Sequence, residues 1–393
     1  MNVYMARAEW APKPDYLLSD REKKDHRALL AYQVYKNITA GIESVDIPSI
    51  KAGEVLLRVG ACGVCGSDIS VLKADTQGYT TYGGHLRFPV VLGHEFSGEV
   101  VEVGKAVTTV QKGDLVAAEQ IRWCGACRTC RASLFNQCLN LEETGLSCDG
   151  AFAEYVVLPE KYCCVINDIA EGLGNKMDAL EMGALAEPTC VAYNGIQVAG
   201  GGLKPGSHFV VFGAGPIGLA GIMLAKAMGA ARIIAFNTNP ARDCLAVAMG
   251  ADTVLNPKVL RQQGTSPGQQ VMELTRGIGA GMVMEASGNI GQVLPDIMEC
   301  LAPGARIVQL GVGHSDAGFN INPLMWKNAV ISGSSGHAGS DIFPSVLRMM
   351  AAGRIDPRKM ITARHSLDNT QTGMDAFAHR EAGHGKILIS ARY

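Results

Sequence analysis

The sequence predicts an α/β protein in two parts, a β-rich lobe followed by a doubly wound parallel sheet. Three observations carry that expectation. The chain has 393 residues, more than one hydrophobic core usually fills. Up to about residue 160 its apolar residues come in short runs separated by Gly, Pro and Asp, the pattern of a small barrel or sandwich. From about residue 178 strand-like and helix-like stretches alternate, which implies parallel strands covered by helices.

In chain order, the region from Pro12 to Lys36 is charged, proline-punctuated and matches no regular element. VLLRVGA, FPVVLG, GEVVEVG, DLVAAEQ and AFAEYVVLP then read as strands of the first lobe. DALEMGALAEPTCVAYNGI places small and apolar residues at helical spacing. The alternation that follows is HFVVFGAG, PIGLAGIMLAKAMGA, RIIAFN, PARDCLAVAMGA, DTVLN, MVMEASG and ARIVQLGV. After about residue 334 come an amphipathic helix, DIFPSVLRMMAAG, and a terminal strand, KILISA. There is no internal repeat and no low-complexity tract.

Composition narrows the function. A 47% apolar and 18% charged content is that of an ordinary soluble globular protein. A net charge of −2 argues against nucleic acid or an anionic membrane as partner. The opening MNVYMARAEW lacks the apolar core of a signal peptide, and the most membrane-like run, Phe209 to Ala225, is broken by Pro216 and glycines. A cytoplasmic protein is expected. Its cysteines then read as metal ligands and small core residues rather than disulfides.

Gly213-Ala-Gly215-Pro216-Ile217-Gly218 follows a strand-like run and opens a helix, the setting in which this glycine spacing binds a dinucleotide. The first glycine makes the turn, the second admits the pyrophosphate, and the third permits close helix–strand packing. An NAD site expects a carboxylate at the end of the next strand, on the ribose 2′-hydroxyl. Here RIIAF is followed by Asn237, Thr238, Asn239 and, a little later, Arg242. Without a carboxylate to repel a 2′-phosphate, and with an arginine to pair with one, NADP is favoured over NAD.

Cys124, Cys127, Cys130 and Cys138 follow the spacing C-x2-C-x2-C-x7-C. Four thiolates from one short loop close a tetrahedral Zn²⁺ shell and leave no position for substrate, so this ion is structural. A catalytic ion needs an open position and scattered ligands. Cys65 in ACGVCGSD and His94 with Glu95 in GHEF supply a thiolate, an imidazole and a carboxylate. Glu187 in LAEP, just before the dinucleotide domain, is a further candidate.

Taken in order, ACGVCGSD, LGHEFSGEVVEVG, the four-cysteine loop, AEP and FGAGPIGL resemble the zinc-dependent medium-chain alcohol/polyol dehydrogenases along essentially the whole chain. GYTTYGGHLRFPVVLGHEFSG, AEQIRWCGAC, CDGAFAEYVVLPEKY and GSSGHAG are similar to the cyclitol dehydrogenases of that family. The resemblance implies a GroES-like catalytic domain over residues 1–190, with its structural zinc loop at 119–140. A Rossmann NAD(P)-binding domain would span 191–333, and residues 334–393 would complete the catalytic domain. It also implies two zinc ions per chain, the catalytic one held by Cys65, His94 and either Glu95 or Glu187. By the same analogy the assembly is a homotetramer.

The resemblance further places Ser67 where the substrate proton is taken and Asp68 where a carboxylate orients the histidine ligand. Two departures stand out. Ser70 occupies a position where many relatives carry a proton-relaying histidine, so the relay ends in water or on Glu95. The other is Asn237, in place of the acidic ribose reader. The activity implied is reversible oxidation of a secondary alcohol of a cyclitol, aminocyclitol or sugar-like polyol to a ketone. A turn at Gly311-Val312-Gly313 would line the nicotinamide pocket. Candidates for substrate hydroxyl contacts are Tyr79, Tyr82, His85, Glu119, Trp123 and His337, each of which also suits a purely structural role. His208 and His314 read as surface or cap residues, and the methionines as core fillers. Alternatives are a threonine-type amino-alcohol dehydrogenase and a non-catalytic NADP-binding protein on the same fold.

Overall fold

Because the first apolar runs are short and the later ones alternate with helices, the two parts of the chain build sheets of different construction. The computed structural model describes residues 1–313, 318–379 and 382–393; His314 lies outside the described residues. The chain divides into two compact units. The first comprises Met1–Glu187, Thr362–His379 and Lys386–Tyr393, the second Pro188–Ile361 and Arg380–Gly385. The stretch from residue 334 onward is therefore shared, its part up to Ile361 packing with the second unit.

In the first unit β1 (Asn2–Trp10) pairs antiparallel with β2 (Tyr35–Ser44). The unassigned region between them is built around a carboxylate. Helix α1 (Asp20–Asp25) starts with a capping box in which Ser19 and Glu22 satisfy each other's backbone N–H. Glu22 is 1% exposed and also accepts from the Tyr16 hydroxyl at 2.9 Å and the Leu29 N–H at 3.0 Å. His26 closes the helix in the left-handed region, φ 47°, with its ring stacked 4.8 Å from Trp10.

The main sheet of this unit contains β3 (Glu54–Gly63), β5 (Glu95–Val103), β6 (Leu115–Ala118), β9 (Tyr155–Pro159), β10 (Cys163–Val165), β17 (Ile361–Ser366) and β18 (Lys386–Ser390). Helix α2 (Gly66–Leu72) follows β3, and β4 (Val90–Val91) joins β1 rather than this sheet. Leu57, Val59, Phe96, Val100, Phe152, Leu158, Ile387 and Ile389 form its core. Burying each such side chain contributes roughly 1.5–3 kcal/mol. The C-terminal strand β18 is antiparallel to β3, with Leu388 opposite Gly63 and Ile389 opposite Cys62. Every residue of β18 is buried, so it cannot show the alternation of a half-exposed strand. Helix α3 (Lys176–Ala184) packs on β3; a Cβ at Gly60 would meet Leu180 at 2.7 Å, so the glycine permits that approach.

After α4 (Ala186–Tyr193) the second unit contains the expected parallel sheet. Its strands are β11 (His208–Phe212), β12 (Arg232–Phe236), β13 (Thr253–Leu255), β14 (Ala280–Glu285), β15 (Leu301–Gln309) and β16 (Val330–Gly333). Their order is β13-β12-β11-β14-β15-β16, a doubly wound arrangement with β11 and β14 at its centre. Helices α5 (Pro216–Ala227) and α6 (Asp243–Met249) follow β11 and β12, and α7 (Ile342–Ala351) comes later; α8 (Thr370–Ala378) belongs to the first unit. Among the described residues no helix is long and apolar enough to cross a membrane.

Candidate metal centre and cofactor site

The end of β3 and the start of β5 lie side by side, with Gly63 opposite Glu95. That register brings Cys65, at the N-cap of α2, beside His94 and Glu95. Gly93 precedes them at φ +92°, and a Cβ there would sit 2.7 Å from the Phe152 nitrogen. Only glycine fits, and it turns His94 inward. The ligand atoms of Cys65, His94 and Glu95 all lie within 4.8 Å of one another.

Around them the side chains are already oriented. Asp68 is fully buried; its Oδ2 accepts from the Cys65 N–H at 2.9 Å, and its Oδ1 lies 3.4 Å from His94 Nδ1. The other ring nitrogen, Nε2, faces Ser67 Oγ at 3.1 Å. Burial opposes a charged His94, but the charges of Asp68 and Cys65 outweigh it and hold the ring well above its usual pKa. Glu95 is held by Lys386 of β18, whose Nζ donates to Oε1 at 2.5 Å and to the Val64 carbonyl at 2.9 Å. Burial raises the Glu95 carboxyl, and Glu187 adds to that against the pull of Lys386. Glu187 is itself buried and close enough to act on Glu95, Lys386 and Glu143, though its oxygens are outside the three-residue group.

The four thiols at 124, 127, 130 and 138 likewise gather within 4.8 Å. Backbone amides already serve the sulfurs: Cys127 N–H donates to Cys124 at 3.3 Å, and Cys124 N–H and Asn140 N–H to Cys138 at 3.3 Å. The Ala126 and Cys127 amides pull the Cys124 thiol down to about 7, and the Thr129 hydroxyl leads the groups that lower Cys127 to about 5. Burial pushes Cys130 up to about 12. N–H donors aimed at sulfur suit thiolate ligands, since the thiolate is the form that binds metal.

Of the substrate-contact candidates, Tyr82 is close enough to the metal group to feel its charges. Burial and the charges of Glu143, Cys65 and Asp68 push its hydroxyl well above the usual range. His85 is lowered by burial and by Arg27 and Arg21. The others make contacts within the protein. Tyr79 donates to the Ala11 carbonyl at 2.9 Å, Trp123 packs 4.5 Å from Phe135, and Glu119 acts on Tyr162 and Cys164. His337 belongs to the second unit, its ring 5.3 Å from Phe343. His208 starts β11, half-buried. Ser70 turns back on its own helix, donating to the Gly66 carbonyl at 3.0 Å.

Lys386, Glu143 and Arg27 escaped sequence reasoning. A lone charge in the apolar run KILISA was a signal for Lys386. Glu143 and Arg27 lie in polar segments that carry none.

In the second unit the three glycines lie at the turn between β11 and the start of α5. A Cβ at Gly213 (φ +102°) would meet the backbone of Ala286 and Ser287 at 2.9 Å, and one at Gly218 the Gly213 carbonyl at 1.8 Å. Gly215 faces open space, with only Arg242 Nη1 3.9 Å from its Cβ position. Pro216 and Ile217 begin α5, whose N-terminus closes the turn. Asn237 is tied into its own loop, donating to the Asn239 carbonyl at 2.5 Å and to Asp243 Oδ1 at 2.8 Å. Gly311 and Gly313 abut Gly288 too closely for any side chain, and Val312 between them is 94% exposed.

Residues 51–168 match the alcohol dehydrogenase GroES-like domain and residues 216–352 the zinc-binding dehydrogenase domain. The chain is 36% identical over 379 residues to scyllo-inosose 3-dehydrogenase of Thermotoga maritima, covering 94% of each protein. It is 34% identical over 357 residues to L-threonine 3-dehydrogenase of Caldanaerobacter subterraneus subsp. tengcongensis, covering 90% of this chain and 96% of that one. A solved T. maritima structure, described as a candidate alcohol dehydrogenase, superposes with a TM-score of 0.93 at 34% identity over 99% of both chains. The chain therefore belongs to the zinc-dependent medium-chain alcohol/polyol dehydrogenases, and is an NAD(P)-dependent enzyme with GroES-like and Rossmann domains.

Proposed function

We propose that this enzyme reversibly oxidises a secondary hydroxyl of a cyclitol, aminocyclitol or sugar-like polyol to a ketone, with the hydride passing to NADP in preference to NAD. The observation that carries the reading is the Cys65–His94–Glu95 group, with ligand atoms within 4.8 Å and Ser67 Oγ 3.1 Å from His94 Nε2. A thiolate, an imidazole and a carboxylate form a donor set suited to zinc, and three protein ligands leave a position for substrate. Bound there, the ion supplies Lewis-acid chemistry that lowers the pKa of the substrate hydroxyl.

The chain's own residues do the rest. Asp68 beside Nδ1 fixes the tautomer in which His94 presents the Nε2 lone pair. Once Nε2 is a ligand, the Ser67 hydroxyl is released from it and takes the substrate proton. Ser70 is bound to its own helix and Glu95 to Lys386, so the proton leaves Ser67, which is half-buried, through water. Glu187 stands behind as a buried carboxylate able to replace Glu95 on the ion. The four-cysteine loop holds a second, closed zinc that stabilises the fold. NADP preference rests on Arg242 beside Gly215 and on Asn237 at the end of β12.

A spectrophotometric screen of NAD⁺ and NADP⁺ against cyclitols, aminocyclitols, sugars and L-threonine tests this reading. Highest turnover with a cyclitol and NADP⁺ is expected. The threonine dehydrogenase relative supports a second reading, which the same panel selects if L-threonine is the best substrate.

A further inference from the structure

Resting on the polyol reading, we infer that Glu143 selects for polyhydroxylated substrates, its carboxylate accepting hydrogen bonds from hydroxyls next to the carbon that is oxidised. Glu143 is fixed by two sets of contacts. It lies on the short strand β8 (Glu142–Glu143), opposite Ile121 of β7 (Ile121–Arg122). Its carbonyl accepts the N–H groups of Leu146, Ser147 and Cys148 at 2.8–3.1 Å, which locks the following turn. The side chain therefore projects from a rigid base.

Its strand runs beside the metal group: a Cβ at Gly145, two residues on, would lie 3.1 Å from His94 Cβ. His94, Glu187 and Arg27 are near enough to act on its charge, and Glu143 in turn acts on Tyr82 together with Cys65 and Asp68. Protein encloses the carboxyl on nearly all sides, yet the residue retains solvent access, as does Tyr82. That combination marks groups lining a cleft rather than sealed in a core.

Its bonding capacity is largely unused. Among the described residues the carboxylate accepts one hydrogen bond, from Gln120 Nε2 to Oε1 at 3.2 Å, while a carboxylate offers about four acceptor sites. The nearby cation does not take up the rest: Arg27 Nη2 goes to Glu142 and, at 3.3 Å, to Ser147 Oγ. An enclosed acceptor with open lone pairs beside a metal centre fits a ligand that brings several O–H donors. A simple alcohol brings only the one that reacts.

The test uses the zinc-loaded full chain and the ratio of kcat/KM for its best cyclitol to kcat/KM for cyclohexanol. In Glu143→Gln that ratio is expected to fall roughly 10- to 100-fold, the range of a lost bond to a charged acceptor. KM for the cyclitol should carry most of the fall, with zinc content unchanged. Glu143→Asp, which keeps the charge on a shorter arm, should fall between wild type and Glu143→Gln. Equal losses on both alcohols, or loss of zinc with activity, would overturn the inference. A wild type that prefers L-threonine or a simple alcohol removes the polyol reading and this inference together. A wild type that prefers a cyclitol, with the ratio intact in Glu143→Gln, removes only this one.

Discussion

Lys386 Nζ and Glu95 Oε1 lie 2.5 Å apart, each side chain 1% exposed, so a metal-ligand candidate is clamped by a charge from the last strand of the chain. Two opposite charges in a dry interior stabilise each other only as a pair. Removing one leaves the other uncompensated, at a cost of about 3–5 kcal/mol. Lys386→Met is therefore expected to lower the melting temperature markedly and to weaken zinc at the Cys65–His94 site. Lys386→Arg should restore part of both. Unchanged melting temperature and zinc content in Lys386→Met would show that the pair contributes nothing.

The zinc loop predicts a separation of metal from turnover. Cys127→Ser removes one thiolate from a group whose sulfurs lie within 4.8 Å. A structural zinc shell cannot close on three ligands without admitting solvent. Zinc measured by atomic emission should drop by about one ion per chain and thermal stability should fall. Oxidation rate per remaining ion should hold at temperatures where the variant is folded. If turnover is abolished in the folded variant, the loop acts in catalysis.

Ser67→Ala tests the proton path. The hydroxyl is 3.1 Å from His94 Nε2. Loss of a positioned proton acceptor typically lowers kcat by roughly 10²–10⁴. Zinc content should not change, because Ser67 is not among the ligands. A kcat within a factor of about two of wild type would eliminate Ser67 from the relay.

How far these features were legible depends on whether their cause is local. Gly213, Gly215 and Gly218 could be read because together they mark one tight turn between a strand and a helix. The four cysteines could be read because they share one short loop. Cys65 and His94 are distant in sequence, yet each sits in a chemically unusual local run. Lys386 and Glu95 are 291 residues apart, and the pairing exists only because β18 joins β3. Glu22 was hidden differently: in a charged segment nothing distinguishes a solvated carboxylate from one that organises a loop. The shared C-terminal stretch was missed because DIFPSVLRMMAAG reads equally well as cover for either sheet.

Glu22 also sets an expectation for acid. Burial alone would raise its carboxyl, but N–H bonds from Leu29 and Ser19, with the Ser19 and Tyr16 hydroxyls, bring it below the usual range. A folded pKa lower than the unfolded value of about 4.3 means stability that is fully present above that value. It is lost as pH falls through the folded pKa. Glu22→Gln can still close the capping box but removes the charge at every pH, so it should be less stable than wild type near neutrality. The gap should close below about pH 4. Melting curves over that range decide it; a gap independent of pH would mean the charge is irrelevant.

Arg242 carries the cofactor prediction. Its Nη1 is 3.9 Å from the Cβ position of Gly215, the glycine that faces open space at the dinucleotide turn. The nearest carboxylate on the following helix, Asp243, already accepts from Asn237 at 2.8 Å. A 2′-phosphate held at this turn would meet a cation. Arginine paired with a phosphate contributes about 1.5–3 kcal/mol. Arg242→Ala should therefore lower kcat/KM for NADP⁺ by roughly 10- to 100-fold and leave NAD⁺ within a factor of about three. Equal losses with both nucleotides would place Arg242 on the shared pyrophosphate instead, and no loss with either would leave it a surface charge of α6's approach.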